Sequence, residues 1–239
     1  SEKFYVEKIN IQGNNYTIEE VIRNALIVDE GDPYNEILFN KSVNNIKAKN
    51  IFSKVETEII PGSRSGLKVV NLTVEEKPTG EISLGAGVGT SGGTIGGGIK
   101  ENNFLGKGIK LNSNLQISEN AIKGQFIYEK PNFNYSDNSL FTSIRSTTTD
   151  NINDFGYKTT DLGLSLGTAF EQFENLYFRP EIDIAYEKLE TTSAASASLK
   201  KQKGDYFDNY FNYSLDYDLR NRRFRPDEGF RNIFRQELP

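Results

Sequence analysis

The chain has 239 residues and a formal net charge of -5, from 28 Lys+Arg against 33 Asp+Glu, with no Cys and no His. That length supports a sizeable core in one large or two smaller domains, and the charge argues against a nucleic-acid partner. Without Cys or His, the chain has no disulfide, no Cys-based zinc site, no thiol catalysis and no His-based triad of its own. Met is absent too, position 1 included, so a processed product or an excerpt of a longer chain is expected. No signal-peptide pattern opens the chain, and no apolar run reaches the ~18 residues of a transmembrane helix. Barrel strands leave a weaker mark, roughly 10 alternating residues each, and stay open on that count.

Residues 1–78 mix helix and strand. Phe4 to Gln12 alternates as a strand and leaves through Gly13-Asn14-Asn15. Thr17-Ile18-Glu19-Glu20 has the form of a capping box, and Ile18, Val21, Ile22, Ala25 and Leu26 follow it as one apolar helical stripe. Asp32-Pro33 reads as the start of a second helix, with Leu38, Phe39, Val43 and Ile46 on its buried face. Val55, Thr57 and Ile59 alternate in one strand, with Val55 and Ile59 in the core, and Val70, Leu72 and Val74 alternate in the next. The order β-α-α-β-β describes a small α+β module.

Residues 79–239 lack any helical stripe of useful length. Alternating segments predict about nine strands, near 80–90, 93–101, 107–118, 121–131, 138–149, 156–171, 174–188, 206–219 and 229–238. The clearest sets Phe207, Asn209, Phe211, Tyr213, Leu215, Tyr217 and Leu219 against Asp208, Tyr210, Asn212, Ser214, Asp216 and Asp218. Period-2 alternation suits both a soluble sandwich and a membrane barrel. Strand length favours the barrel, since a spanning strand needs about 9–11 residues and soluble strands run to about 5–6. So do the aromatics near strand ends at Phe133, Tyr135, Phe170, Phe173, Tyr206 and Phe207, although strands of any kind are rich in such residues. The residues alone leave both readings open.

Several segments in register carry a family resemblance. Tyr34 through Val55, with Leu38, Ser42, Ile46, Ile51, Phe52 and Val55 at their spacings, is similar to the second helix and following strand of a POTRA domain. Val74-Glu75-Glu76-Lys77-Pro78 then leads to Gly85-Ala86-Gly87-Val88-Gly89-Thr90, Gly96-Gly97-Gly98 and Asn102-Asn103-Phe104-Leu105-Gly106-Lys107-Gly108. That run resembles the junction between the last POTRA and the first barrel strands in the BamA family of POTRA-plus-barrel proteins. Lys130-Pro131-Asn132-Phe133 resembles its proline turn, and Asp218, Arg220, Pro226 and Gly229 match its Asp-x-Arg…Pro-x-x-Gly turn, with Asp227 where Thr is usual.

The resemblance implies a POTRA domain at 1–78 and, at 79–239, the N-terminal half of an antiparallel transmembrane β-barrel, incomplete at about nine strands. It implies an excerpt holding the last POTRA and the first half of the barrel. It also implies a non-enzymatic protein without cofactor or metal, in the bacterial outer membrane with its POTRA in the periplasm. The implied work is folding and inserting β-barrel clients. The implied partners are those unfolded clients, periplasmic chaperones, accessory assembly lipoproteins and the lipid bilayer. Glu81, Ile82, Ser83, Leu84, Gly85, Ala86, Gly87, Val88 and Gly89 would form a lateral gate that templates client strands. Eleven of the 21 glycines lie between Gly80 and Gly108, which suits a weakly held edge and equally suits a tight barrel bend. The POTRA partner edge is placed at Ile51, Phe52, Ser53, Lys54, Val55, Glu56 and Thr57, where strand addition would act. Two alternatives remain: a POTRA-barrel exporter of a single passenger, of the two-partner secretion or TamA type, and a passive pore or β-rich binding module.

Other patterns carry less. Gly87-x-Gly89-x-x-Gly92 follows a strand, but Gly93 and Gly96-Gly97-Gly98 forbid the helix a dinucleotide site needs. Asp208, Asp216 and Asp218 read as a polar strand face rather than a catalytic or calcium cluster. Arg220, Arg222, Arg223 and Arg225 read as a solvated turn, with lipid headgroups as the sharper alternative.

Overall fold

The computed structural model describes residues 3–89, 92–221 and 226–239. They form two compact units, Ser1–Glu81 with Glu101–Lys110, and Ile82–Lys100 with Leu111–Pro239.

The first unit contains β1 (Tyr5–Gln12), α1 (Glu19–Arg23), α2 (Glu36–Ala48), β2 (Phe52–Pro61) and β3 (Leu67–Glu76). Its sheet runs β1-β3-β2, with β1 parallel and β2 antiparallel to the central β3. Alternate residues Val70, Leu72 and Val74 of β3 are buried with Ile22 of α1 and Phe39 and Ile46 of α2. Ser42 is buried within α2, where its hydroxyl donates to Leu38 O at 2.9 Å and accepts from Ile27 N at 2.8 Å.

Both helix starts differ from expectation. Ile18 is the N-cap of α1, without a side-chain bond, because the buried Thr17 hydroxyl accepts from Asn103 instead. The cap of α2 is Asn35, whose side chain accepts from Ile37 N and Leu38 N, three residues beyond Asp32. Asp32 holds a turn by accepting from Asp29 N at 2.9 Å, and Pro33 bridges to Tyr5. Leu38 and Ile59, expected in the core, are exposed, Leu38 in the first turn of α2 and Ile59 on the outer part of an edge strand.

The second unit is one sheet of nine strands in chain order. These are β4 (Gly80–Gly89), β5 (Gly92–Phe104), β6 (Ile109–Ser118), β7 (Ala121–Lys130), β8 (Ser139–Asn151), β9 (Tyr157–Phe173), β10 (Leu176–Thr191), β11 (Gly204–Asp218) and β12 (Arg231–Leu238). All nine stand where the alternation places them. Two single-turn helices, α3 (Ile152–Phe155) and α4 (Ala197–Lys201), sit in the connections.

The faces of this sheet are inverted relative to a soluble protein. One register row joins Phe126, Ile144, Leu164 and Ile184 across β7 to β10, and another joins Leu166, Ile182, Phe211 and Leu238 across β9 to β12. All eight side chains are exposed. The opposite face joins Ile127, Ser143, Ser165, Asp183 and Tyr210, and there Ser165 is 1% and Asp183 7% exposed. An apolar surface this extended is stable against lipid and not against water. Aromatic contacts gather toward both strand ends. Phe170–Phe178 (5.7 Å) and Tyr217–Phe230 (6.0 Å) lie toward the end where the chain enters the sheet, and Tyr186–Phe207 (5.1 Å) toward the other. Among the described residues no helix is long and apolar enough to cross a membrane. The inverted faces set the soluble sandwich aside.

The enclosed face is organised around glycines. Arg145 lies over Gly163, where an added Cβ would fall 2.2 Å from the guanidinium carbon. From there Arg145 reaches Asp183 at 2.7 Å and Asp161 at 3.3 Å. Phe141 lies over Gly167, and the Arg179 guanidinium stacks 3.5 Å from the centre of its ring.

Gly167→Ala would place a Cβ 2.6 Å from the Pro180 carbonyl oxygen, which is backbone and has little room to yield. The expected loss is about 2 kcal/mol, read from urea unfolding in detergent micelles. In the first unit, the Glu76 carboxylate accepts from Tyr16 N at 3.0 Å and Thr17 N at 2.6 Å. Burial opposes its ionisation, but hydrogen bonds from the Thr17 side chain and from the Tyr16, Thr17 and Asn15 amides outweigh this and lower the pKa. A depressed carboxyl pKa contributes stability that is complete above the ordinary value of 4.5 and is lost as pH falls through the folded value. Glu76→Gln should therefore weaken the fold by about 1 kcal/mol at pH 7 and flatten the decline in melting temperature on acidification.

Candidate functional site: a glycine-rich edge strand and an open module edge

The strand β4 is one edge of the nine-stranded sheet, with β5 as its neighbour. All its residues are exposed: Ile82 by 75%, Leu84 by 87% and Val88 by 93%. The expected gate residues Glu81 through Gly89 fall together along this edge, while Thr90 lies outside the described residues. Ile82, Leu84, Ala86 and Val88 share one face, and Glu81, Ser83, Gly85, Gly87 and Gly89 the other.

The glycines here are of two kinds. A Cβ at Gly98 would meet Asn114 at 2.5 Å, Ser83 at 3.0 Å and the Ser113 carbonyl oxygen at 3.2 Å, so this position of β5 is kept small by its neighbours, and one at Gly97 would touch Leu84 at 3.0 Å. At Gly85, Gly87 and Gly89 a Cβ would meet nothing within 4 Å, and none of the three has positive φ. Neither backbone conformation nor packing within the described chain requires glycine in β4. What glycine does there is weaken the strand and leave its face open to close approach. On the enclosed side a trough of about 740 Å³ runs past Gly85, Gly87, Gly96, Gln116, Lys123 and Arg145.

The two edges of the module sheet differ. Along β1, Val6 N donates to Asp32 O (2.9 Å), Gly31 N to Val6 O (2.7 Å) and Tyr34 N to Phe4 O (2.7 Å), so the 29–34 segment covers that edge. Among the described residues the edge at β2 has only β3 beside it. Of the residues expected to form a partner surface, Ile51 and Phe52 are buried in the core. Ser53, Lys54, Glu56 and Thr57 are exposed and Val55 is partly buried. Ser53 sits at a register shift between Phe52 and Lys54, where its hydroxyl donates to Glu75 O at 3.1 Å.

At the β11–β12 turn, Arg220 donates to both Asp218 oxygens at 2.7 Å, and Arg231 donates to Asp216 at 2.8 Å. Gly229 (φ +86°) stands where a Cβ would fall 2.1 Å from Leu219 O, so this position requires glycine. Pro226 lies in the same turn. Asp218, Arg220 and Gly229 thus form a structural clasp, while the basic run Arg222, Arg223 and Arg225 lies outside the described residues. Among the described residues no group of three or more acidic side chains is placed to hold a metal ion. The reach of the first unit into the segment 101–110 was not anticipated, although its Asn and Gly spacing is visible in the sequence.

Residues 103–239 match the Omp85 superfamily domain, and residues 4–77 match a POTRA family described as surface antigen variable number repeat. The outer membrane protein assembly factor BamA of Neisseria meningitidis is 29% identical over 133 residues, covering 55% of this chain and 17% of that protein. BamA of Neorickettsia risticii is 25% identical over 238 residues, covering 96% of this chain and 31% of that one. Among solved structures, BamA from Haemophilus ducreyi lacking POTRA domains 1-3 superposes with a TM-score of 0.74 at 22% identity, over 99% of this chain and 48% of the other. CdiB from Escherichia coli superposes with a TM-score of 0.62 at 15% identity, over 100% of this chain and 46% of the other. This chain therefore spans under a third of these curated relatives and about half of the solved chains. With one POTRA module followed by nine barrel strands whose apolar face points outward, it belongs to the Omp85 superfamily.

Proposed function

We propose that this chain serves to fold β-barrel proteins and insert them into the bacterial outer membrane. In this reading β4 is a lateral gate that templates client strands, and the POTRA lies in the periplasm. The observation that carries it is the edge strand whose three glycines answer no steric need. Such a strand parts easily from a neighbour and presents its amides and carbonyls to an incoming strand. The relatives named BamA support the same reading, and the work involves strand exchange rather than bond chemistry. The open edge of β2 is the surface we assign to clients, periplasmic chaperones or accessory lipoproteins, through Ser53, Lys54, Glu56 and Thr57. The fold shared with CdiB keeps a second reading open, export of one passenger through the same architecture.

The chain contains no Cys, so single cysteines report cleanly. Placed at Ile82, Leu84 and Ala86, they should form disulfides in cells with Cys-bearing final strands of several newly made barrel proteins, in a fixed register. Cross-links to one dedicated passenger would favour the exporter, and none at all would refute the gate. Gly85→Val together with Gly87→Val should raise overall stability by up to about 2 kcal/mol rather than lower it. Strand propensity differs by about 1 kcal/mol per residue, so the pair should hold β4 closed and slow client assembly by about tenfold. Unchanged assembly kinetics in reconstituted vesicles would remove the argument from the glycines.

A further inference from the structure

The turn between β5 and β6 is built into the first unit. Asn103, 3% exposed, donates from Nδ2 to Thr17 Oγ1 at 2.9 Å and accepts at Oδ1 from Gly108 N at 2.8 Å. Ile18 N donates to Gly106 O at 3.0 Å. Gly106 (φ +68°) lies so close that a Cβ would fall 2.1 Å from Tyr16 O, and a Cβ at Gly108 (φ +64°) would meet Val21 at 3.1 Å. The same turn grips the residues that lead into β4. Asn102 N donates to Thr79 O at 3.3 Å, and the Glu101 carboxylate accepts from the Thr79 hydroxyl and from Asn103 N. Glu76 pins Tyr16 and Thr17 from behind.

The chain therefore passes between the two units three times, after Glu81, Lys100 and Lys110, and these crossings serve β4, β5 and β6. The remaining turns at the same ends of the strands, after β7, β9 and β11, all belong to the second unit. A module tethered by a single linker needs no such arrangement. Asn103 satisfies donors and acceptors in its own turn and in the approach to α1, so one side chain knots both segments.

We propose that Asn103 and Gly106 are positioning residues. They form a latch by which the POTRA module fixes the entry end of β4, so that the edge strand parts from its far end, Gly89, toward Glu81. The latch stands on the hydrogen bonds above; its role in positioning a gate rests on the proposed function. A loosened latch leaves β4 able to exchange strands but without a set register.

Two readouts separate these claims. In the full-length protein in lipid vesicles, nitroxides at Ile37 and Leu115 report on the latch by pulsed electron resonance, and a pair at Ile37 and Ile59 reports on the module alone. Asn103→Ala, and independently Gly106→Val, should widen the first distance distribution by about twofold or more and leave the second unchanged. In either variant, disulfides from any one client Cys should spread across Ile82, Leu84 and Ala86 instead of falling at the one position its register sets, with total yield retained. An unchanged first distribution in both variants overturns the latch. A widened distribution with the wild-type cross-link register overturns the positioning role. A widened module pair means that the variant has unfolded the POTRA and that Asn103 is a core residue only, which also overturns the proposal. If the wild type gives no client cross-links while the distances still respond, the latch stands and the gate reading fails.

Discussion

The structure depends on a single inversion. The sheet encloses Ser165, Asp183, Arg145 and Asp161 and turns Leu162, Leu164, Leu166, Ile182 and Ile184 outward. In water this would expose a continuous apolar surface; in hydrocarbon it is the low-energy arrangement, because backbone groups pair laterally and charged side chains pair behind them. The consequences run through the second unit. Long strands span the apolar layer and aromatic rings collect toward its two borders. Charges on the enclosed face pair with one another, as Arg145 does between two aspartates.

The same constraint gives an edge strand its meaning. In a soluble sheet, an exposed edge is guarded by charge, proline or a covering loop. The module follows that practice along β1, where residues 29–34 cover it. Among the described residues nothing covers β4, and at Gly85, Gly87 and Gly89 glycine stands where an added Cβ would meet nothing within 4 Å. Elsewhere glycine is a fitting residue. Gly163 seats a guanidinium, Gly167 a phenyl ring, and Gly229 a carbonyl. One residue type thus serves rigidity on the enclosed face and weakness at the edge.

Alternation made the nine strands legible, because each strand has two unlike neighbours, lipid on one side and the enclosed face on the other. The direction of that contrast was not legible. Leu164 and Ser165 alternate identically whichever faces inward, and only their exposures decide. The module's order was equally plain, but its details were set by distant partners. Thr17 has the local pattern of a cap and instead accepts from Asn103, which is 86 residues away. Leu38 and Ile59 fit the apolar stripes and still emerge at the surface, because periodicity marks a face and not how deeply each position is covered. The gate reading of β4 comes from resemblance, whereas the open space around Gly85, Gly87 and Gly89 depends on neighbours that the sequence does not show.

The three passages of the chain between the units also bear on biogenesis. A polypeptide is delivered from its N-terminus, and this module closes over Thr17 and Val21 only when Asn103, Gly106 and Gly108 arrive. By then all of β4 and β5 has already been delivered. Both apolar clusters of the module lie among residues 6–74, so its core has all its parts before that turn arrives, and only the ties to Asn103, Gly106 and Gly108 wait for it. Those ties and the first hairpin therefore come into place together.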